Sequence, residues 1–317
     1  LSTLRSLSVP VDRLTAKGFR VVGRSRSLRS LELTGAGLSR EPMGILAAIP
    51  QLELPHVSGF EELDDAYLGD VGTMESLREL DLAGTGITNK GLKSVASIPN
   101  LEWLSLSSTA VTDRGMKLLG EMVWSEEGED FALRTATNIE HIELASTAIT
   151  DRGLEHLRAL PITSLDISRS AVTTACRETL DGWQLRALVM EGKMALNDLS
   201  FVSSQPLLER LDISHRRGVN TQIRSLDAHP SLVVLDLSHT DVQDSAMMPL
   251  TRCTSLRRLN LSGTAVTART LAVFAKLGHL RRVGVHGTNI LVHGDERREQ
   301  LPGLTLCRLE TFPAFRD

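Results

Sequence analysis

Asp212-Ile213-Ser214-His215 and Asp236-Leu237-Ser238-His239 each bring a carboxylate, a hydroxyl and an imidazole close together in the chain. These are the groups of a nucleophile and its base. The two copies hold equivalent places in a recurring pattern, which marks them as texture, and no oxyanion device accompanies them. Gly86-Ile87-Thr88-Asn89-Lys90-Gly91 has the glycine spacing of a phosphate loop, but Leu92 stands where lysine is required. His141, His156, His229, His279, His286 and His293 show no HxxxH or HExxH spacing, so no metal site is expected. His56, His215, His239 and His286 fall at expected strand ends and read as polar surface. Cys176, Cys253 and Cys307 are far apart with no CxxC pair, so they read as small apolar fillers. The sequon Asn260-Leu261-Ser262 lies in an expected strand with Leu261 inside, a poor place for a glycan. The expectation is a non-enzyme with no catalytic residue, metal or cofactor.

What must position any remaining function is a repeat. An aliphatic residue, two variable ones, an aliphatic, one variable and an aliphatic recur as Leu77-Leu80-Leu82, Leu101-Leu104-Leu106, Ile139-Ile142-Leu144, Ile162-Leu165-Ile167, Leu232-Leu235-Leu237 and Leu256-Leu259-Leu261. The starts fall at 4, 28, 52, 77, 101, 139, 162, 185, 208, 232, 256, 280 and 304. Near-constant register over the whole length defines a solenoid of about 12–13 repeats in a single domain, 1–317. The second and third aliphatics share one face of a short strand. A turn follows, as in Thr147-Ala148-Ile149-Thr150-Asp151-Arg152-Gly153, where Thr or Asp supplies a helix N-cap. Leu154, Leu157 and Leu160 then lie along one face of a helix that Pro161 stops. One such unit cannot bury its apolar face, and stacked neighbours bury it continuously.

On these residues the chain resembles leucine-rich repeat proteins, with units close to LxxLxLxxTxITDxGL and similar to the cysteine-containing and ribonuclease-inhibitor-like subfamilies. The resemblance implies an α/β horseshoe, with a parallel sheet on the concave face and short helices on the convex face. The strand-end position, Asn or Cys in the family, holds Thr85, Thr109, Thr147, Ser170, Thr240, Thr264 and Thr288 here. Their hydroxyls are expected to satisfy backbone groups of the buried turn.

The 317 residues carry 35 Lys+Arg against 39 Asp+Glu, a net charge of −4, with 3% aromatics. That balance disfavours a general nucleic-acid binder, and the lack of a long apolar run excludes a membrane span. The thiol usage suggests an intracellular protein, cytoplasmic or organellar. The register breaks once, at about 122–138, where Trp124-Ser125-Glu126-Glu127-Gly128-Glu129-Asp130-Phe131 reads either as a contact loop or as a tolerated insertion. Residues about 295–317 read as a charged C-terminal cap, and a cap or further domain is expected upstream of Leu1.

The variable residues between the aliphatics should face the inside of the arc. One column holds Glu32, Asp81, Glu143, Asp166, Asp212 and Asp236; the column beside it holds Trp103 and turns basic at Arg210, Arg258 and Arg282. The columns either pair with each other or form a bipolar groove on the order of 55 Å long for a protein partner with a basic segment. With Trp103 and Trp124 as aromatic anchors, these residues are the candidate contacts. The expected function is a protein-interaction scaffold, monomeric or one subunit of a hetero-complex. One alternative is a structural subunit of a ribonucleoprotein or organellar ribosome, the only setting in which nucleic acid would be met. Similarity to F-box repeat proteins implies another, the substrate receptor of a ubiquitin ligase with its F-box upstream.

Overall fold

A computed structural model describes residues 3–34, 49–69, 71–121, 138–193, 197–290 and 304–307. Trp124, the rest of the 122–137 insertion and most of the 295–317 cap lie outside the described residues. The chain falls into two compact units, Leu1–Ile162 with Ser170–Thr179, and Thr163–Arg169 with Leu180–Asp317.

In the first unit, β1 (Ser6–Pro10), β2 (Ser30–Thr34), β3 (Leu54–His56), β4 (Glu79–Asp81), β5 (Trp103–Ser105) and β6 (His141–Glu143) pair in parallel, each with the next. The second unit does the same with β7 (Ser164–Asp166), β8 (Ala187–Val189), β9 (Arg210–Asp212), β10 (Val234–Asp236), β11 (Arg258–Asn260), β12 (Arg282–Gly284) and β13 (Thr305–Cys307). From β1 to β12, every strand begins two residues after its repeat start. β13 departs from this: its register sets Leu306, not Cys307, opposite Val283. The last unit is thus phased one residue earlier than a start at Leu304 implies. A one-residue slip changes which residue stands opposite each partner, here Leu306 opposite Val283.

The aliphatic rows make the core. Leu80, Leu104 and Ile142 are buried in the first unit, and Leu188, Leu211, Leu235 and Leu259 in the second. Each buried side chain contributes about 1.5–3 kcal/mol of apolar burial. Helix-side leucines close the other wall, with Leu154, Leu157 and Leu160 all buried around the helix Asp151–His156. Cys176 and Cys253 are buried within this packing.

Two polar devices hold the turns. Thr85, Thr109 and Thr147 each donate their hydroxyl to the carbonyl three residues earlier, at 2.7, 2.6 and 2.6 Å; Thr240 and Thr264 do so at 2.6 Å. Each bond thus stays inside its own repeat. The second device joins repeats. Asp65 accepts the N–H and hydroxyl of Thr88 at 2.8 and 2.6 Å. Asp113 clasps Thr150 in the same way, Asp151 clasps Thr173, and Asp244 clasps Thr267. An Asp at this turn position therefore caps the following repeat. The Gly three residues after the clasped Thr makes room: a Cβ on Gly91 would stand 2.6 Å from Asp65 Oδ1, and one on Gly153 would overlap Asp113 Oδ1.

Candidate strand-face docking site

Apart from Trp124, which lies outside the described residues, the candidate contact residues all sit on strands, but they differ in how freely they are offered. In the first unit Glu32 is exposed, Glu143 half-buried and Asp81 buried. Asp81 Oδ1 accepts the N–H of Ala83 at 3.1 Å. Trp103 is half-buried, in register between Glu79 and His141.

In the second unit the carboxylates are held by the turn that follows each strand. Asp166, Asp212 and Asp236 accept the N–H two residues on, at Ser168, Ser214 and Ser238, at 2.8, 2.9 and 2.8 Å. Asn260 accepts from Ser262 at 3.1 Å and donates to Asp236 Oδ2 at 2.9 Å. The column is thus a run of Asx turns, in which an Asn serves as well as an Asp. Asp212 and Asp236 are cross-strand neighbours, and Val189 separates Asp212 from Asp166. Burial, then the charge of Asp236, pushes the Asp212 carboxyl up to about 7, against the hydrogen bonds from Ser214. Burial also raises Asp166.

The Asp-Ser-His phrases resolve into the same turns. Ser214 and Ser238 are buried. His215 and His239 take left-handed backbone, φ 59° and 54°, at a position where neighbouring repeats have Gly192, Gly263 and Gly287. Their rings stack at 4.5 Å with 14° between planes. His215 Nε2 lies 4.0 Å from Glu191 Oε1, which also accepts from Arg169 at 2.6 Å. His215 and His239 read as polar surface in the sequence and are exposed, but neither their left-handed backbone nor their stacking was foreseen there. The signal available was the glycine recurring seven residues after a repeat start, which marks a left-handed place that side chains fill at some cost.

Ion pairs form in a different column, one residue after the repeat start. Arg29 pairs with Glu53, Arg78 with Glu102, and Arg186 with Glu209, each Arg on a Glu of the next repeat. That alternation fails at the last strands. Arg257 and Arg258 lie beside Arg281 and Arg282 on neighbouring strands, with Arg258 in register with Arg282. Val233 and Val234 flank them on one side and Thr305 on the other. Arg257, Arg281 and Arg282 are exposed, and among the described residues no carboxylate pairs with any of the four. Like charges set directly across strands are destabilising. This patch therefore retains an unbalanced charge that an anionic group would neutralise. Arg210, two strands away, extends the basic column toward Asp212.

Among the described residues, no group of three His, Cys, Asp or Glu could hold a metal ion, and no helix is long and apolar enough to cross a membrane.

The cadence, the parallel ladders and the cross-repeat clasps define an α/β solenoid of leucine-rich repeats. A family profile described as Leucine Rich repeat matches residues 73–96 and 228–250. Among solved structures, an internalin (inlF) from Listeria monocytogenes is similar with a TM-score of 0.57 and 13% identity, covering 98% of this chain and 88% of that one. The mouse RP105/MD-1 complex is similar with a TM-score of 0.58 and 16% identity, over 95% of this chain and 54% of the other. Among curated proteins, none matches in sequence. The chain is a leucine-rich repeat protein.

Proposed function

We propose that the chain is a non-catalytic scaffold that docks a protein partner along its strand face. The observation that carries this reading is the uncompensated arginine patch: Arg257 and Arg281 stand in the column that elsewhere pairs Arg with Glu, and Arg258 and Arg282 stand in register beside them. A guanidinium fork matches a carboxylate bidentately, so the patch suits acidic side chains of a partner. Glu32, Glu143 and the held carboxylates Asp81, Asp166, Asp212 and Asp236 offer the opposite sign to basic side chains, and Trp103 offers an aromatic anchor. Similarity to a leucine-rich repeat chain solved in complex, RP105 with MD-1, supports a protein as the ligand class. Three cysteines far apart in the chain, with no CxxC pair, support a setting inside the cell.

Affinity capture with the full chain tests the reading. Arg258→Glu with Arg282→Glu, and separately Trp103→Ala with Asp166→Arg, should each lose most partner recovery while the fold remains intact by circular dichroism. Full recovery by both variants would overturn it. The arginine patch also keeps the ribonucleoprotein alternative in play: association that disappears with nuclease and falls steeply with salt would favour that reading.

A further inference from the structure

A second surface lies on the helix side of the first unit, away from the strand columns. Thr88, Asn89, Lys90, Lys93, Arg114 and Leu118 enclose an open cavity of about 610 Å³ between two consecutive helical segments, around Leu92–Ala96 and Asp113–Glu121. Its lining holds three cationic side chains and no carboxylate. Lys90, Lys93 and Arg114 are exposed, and none of them forms an ion pair with a carboxylate among the described residues.

The polar groups nearest these cations are already engaged. Asp65 holds Thr88, Asn89 holds the N–H of Thr112 at 2.9 Å, and Asp113 holds Thr150. Lys90, Arg114 and Arg152 occupy equivalent places in three successive repeats, each just after its clasp residue, so the positive charge runs on as a row. Leu118, half-buried, adds an apolar wall.

The geometry points to this cavity as a docking site for an acidic peptide segment of a protein partner, one that carries an apolar side chain among its carboxylates. Three features select that occupant. The volume is in the range of pockets that enclose a sizeable ligand, more than a lone phosphate fills. The row of cations over successive repeats matches charges spaced along a chain rather than gathered on one group. A nucleic acid would meet the cations but leave the Leu118 wall uncovered, with no aromatic side chain in the lining for base stacking.

Fluorescence anisotropy with the full chain tests this directly. The probes are a labelled Glu/Asp peptide of about ten residues with one central Leu, its Leu→Ser counterpart, an oligouridylate RNA and inorganic phosphate. The Leu peptide should bind, and Lys90→Glu with Arg114→Glu should weaken it about tenfold or more. Lys93→Gln should weaken it less, and Leu→Ser in the peptide should cost several-fold. Arg258→Glu should leave binding unchanged, which separates this surface from the strand face. The proposal falls if the peptide binds the Lys90/Arg114 variant as well as the parent. It falls too if Arg258→Glu alone abolishes binding, if the RNA binds more tightly through the same lysines, or if phosphate at low concentration displaces the peptide completely.

Discussion

The Asp113 carboxylate closes on Thr150, taking its backbone N–H at 2.8 Å through Oδ1 and its hydroxyl at 2.7 Å through Oδ2. Thr150 in turn accepts from the N–H of Arg152 and so caps its own helix. One side chain thus starts a helix in its own repeat and is fixed by the repeat before it.

Gly153 is the residue that lets Asp113 approach. Gly153→Ala is expected to destabilise the chain by about 1–3 kcal/mol, because the new Cβ would overlap Asp113 Oδ1 and dislodge the clasp. Gly278→Ala is the control: a Cβ there meets nothing within 4 Å, and the change should stay within about 0.5 kcal/mol. Urea denaturation of the two variants checks the contrast, and equal midpoints would remove the clasp from the account.

The protonation of Asp212 makes stability depend on pH. Burial and Asp236 hold this carboxyl up to about 7, above its ordinary value of 3.8. Between those values the folded chain binds more protons than the unfolded one. This group's contribution therefore falls as pH rises from about 4 to about 7, then levels off. Asp212→Asn removes that slope with a residue the fold already uses at the equivalent place, Asn260. The variant should exceed the parent by about 1–3 kcal/mol at pH 8 and lose the advantage near pH 4. Denaturation midpoints of both chains at several pH values measure the difference, and a gap that does not widen with pH contradicts the assignment.

Thr109 donates to Leu106 O at 2.6 Å within a buried turn. Thr109→Val keeps the volume and strands that carbonyl, so a loss of about 1–3 kcal/mol is expected. The exposed pair Arg186–Glu209 should matter far less: Arg186→Ala is expected to change stability by under about 1 kcal/mol, and by less still in high salt. A thermal melt that ranks these two substitutions the other way would show that the surface ladder, not the turn hydroxyl, holds the repeats.

The strand positions were legible because leucine spacing fixes which residues must face the core, and that alone phases β1 to β12. The final strand was misphased because Leu304 and Leu306 both offer an aliphatic, and only pairing with β12 chooses between them. The roles of Asp113 and Gly153 were not legible as a pair, since they meet only when adjacent repeats stack. Thr or Asp was expected to cap the helix; Thr150 does so in its own repeat, while Asp113 reaches it from the repeat before. The acidic residues could be counted from sequence and set at one strand position, whereas the N–H that holds Asp166 or Asp236 depends on the turn beyond the strand. The stacking of His215 on His239 needed the left-handed backbone that no composition reveals.

The Asp113–Thr150 clasp and the Trp103–His141 pairing both close across the interval where the register lengthens, between Glu121 and Asn138. These two repeats are therefore held by bonds between partners 37 residues or more apart in the chain, on either side of that interval. Lengthening a flexible connection costs only about 0.6 kcal/mol per doubling. Because the clasp and the strand pairing form at that separation, the stack itself does not demand a fixed repeat length, and a recognition segment or a reporter domain can be accommodated between repeats.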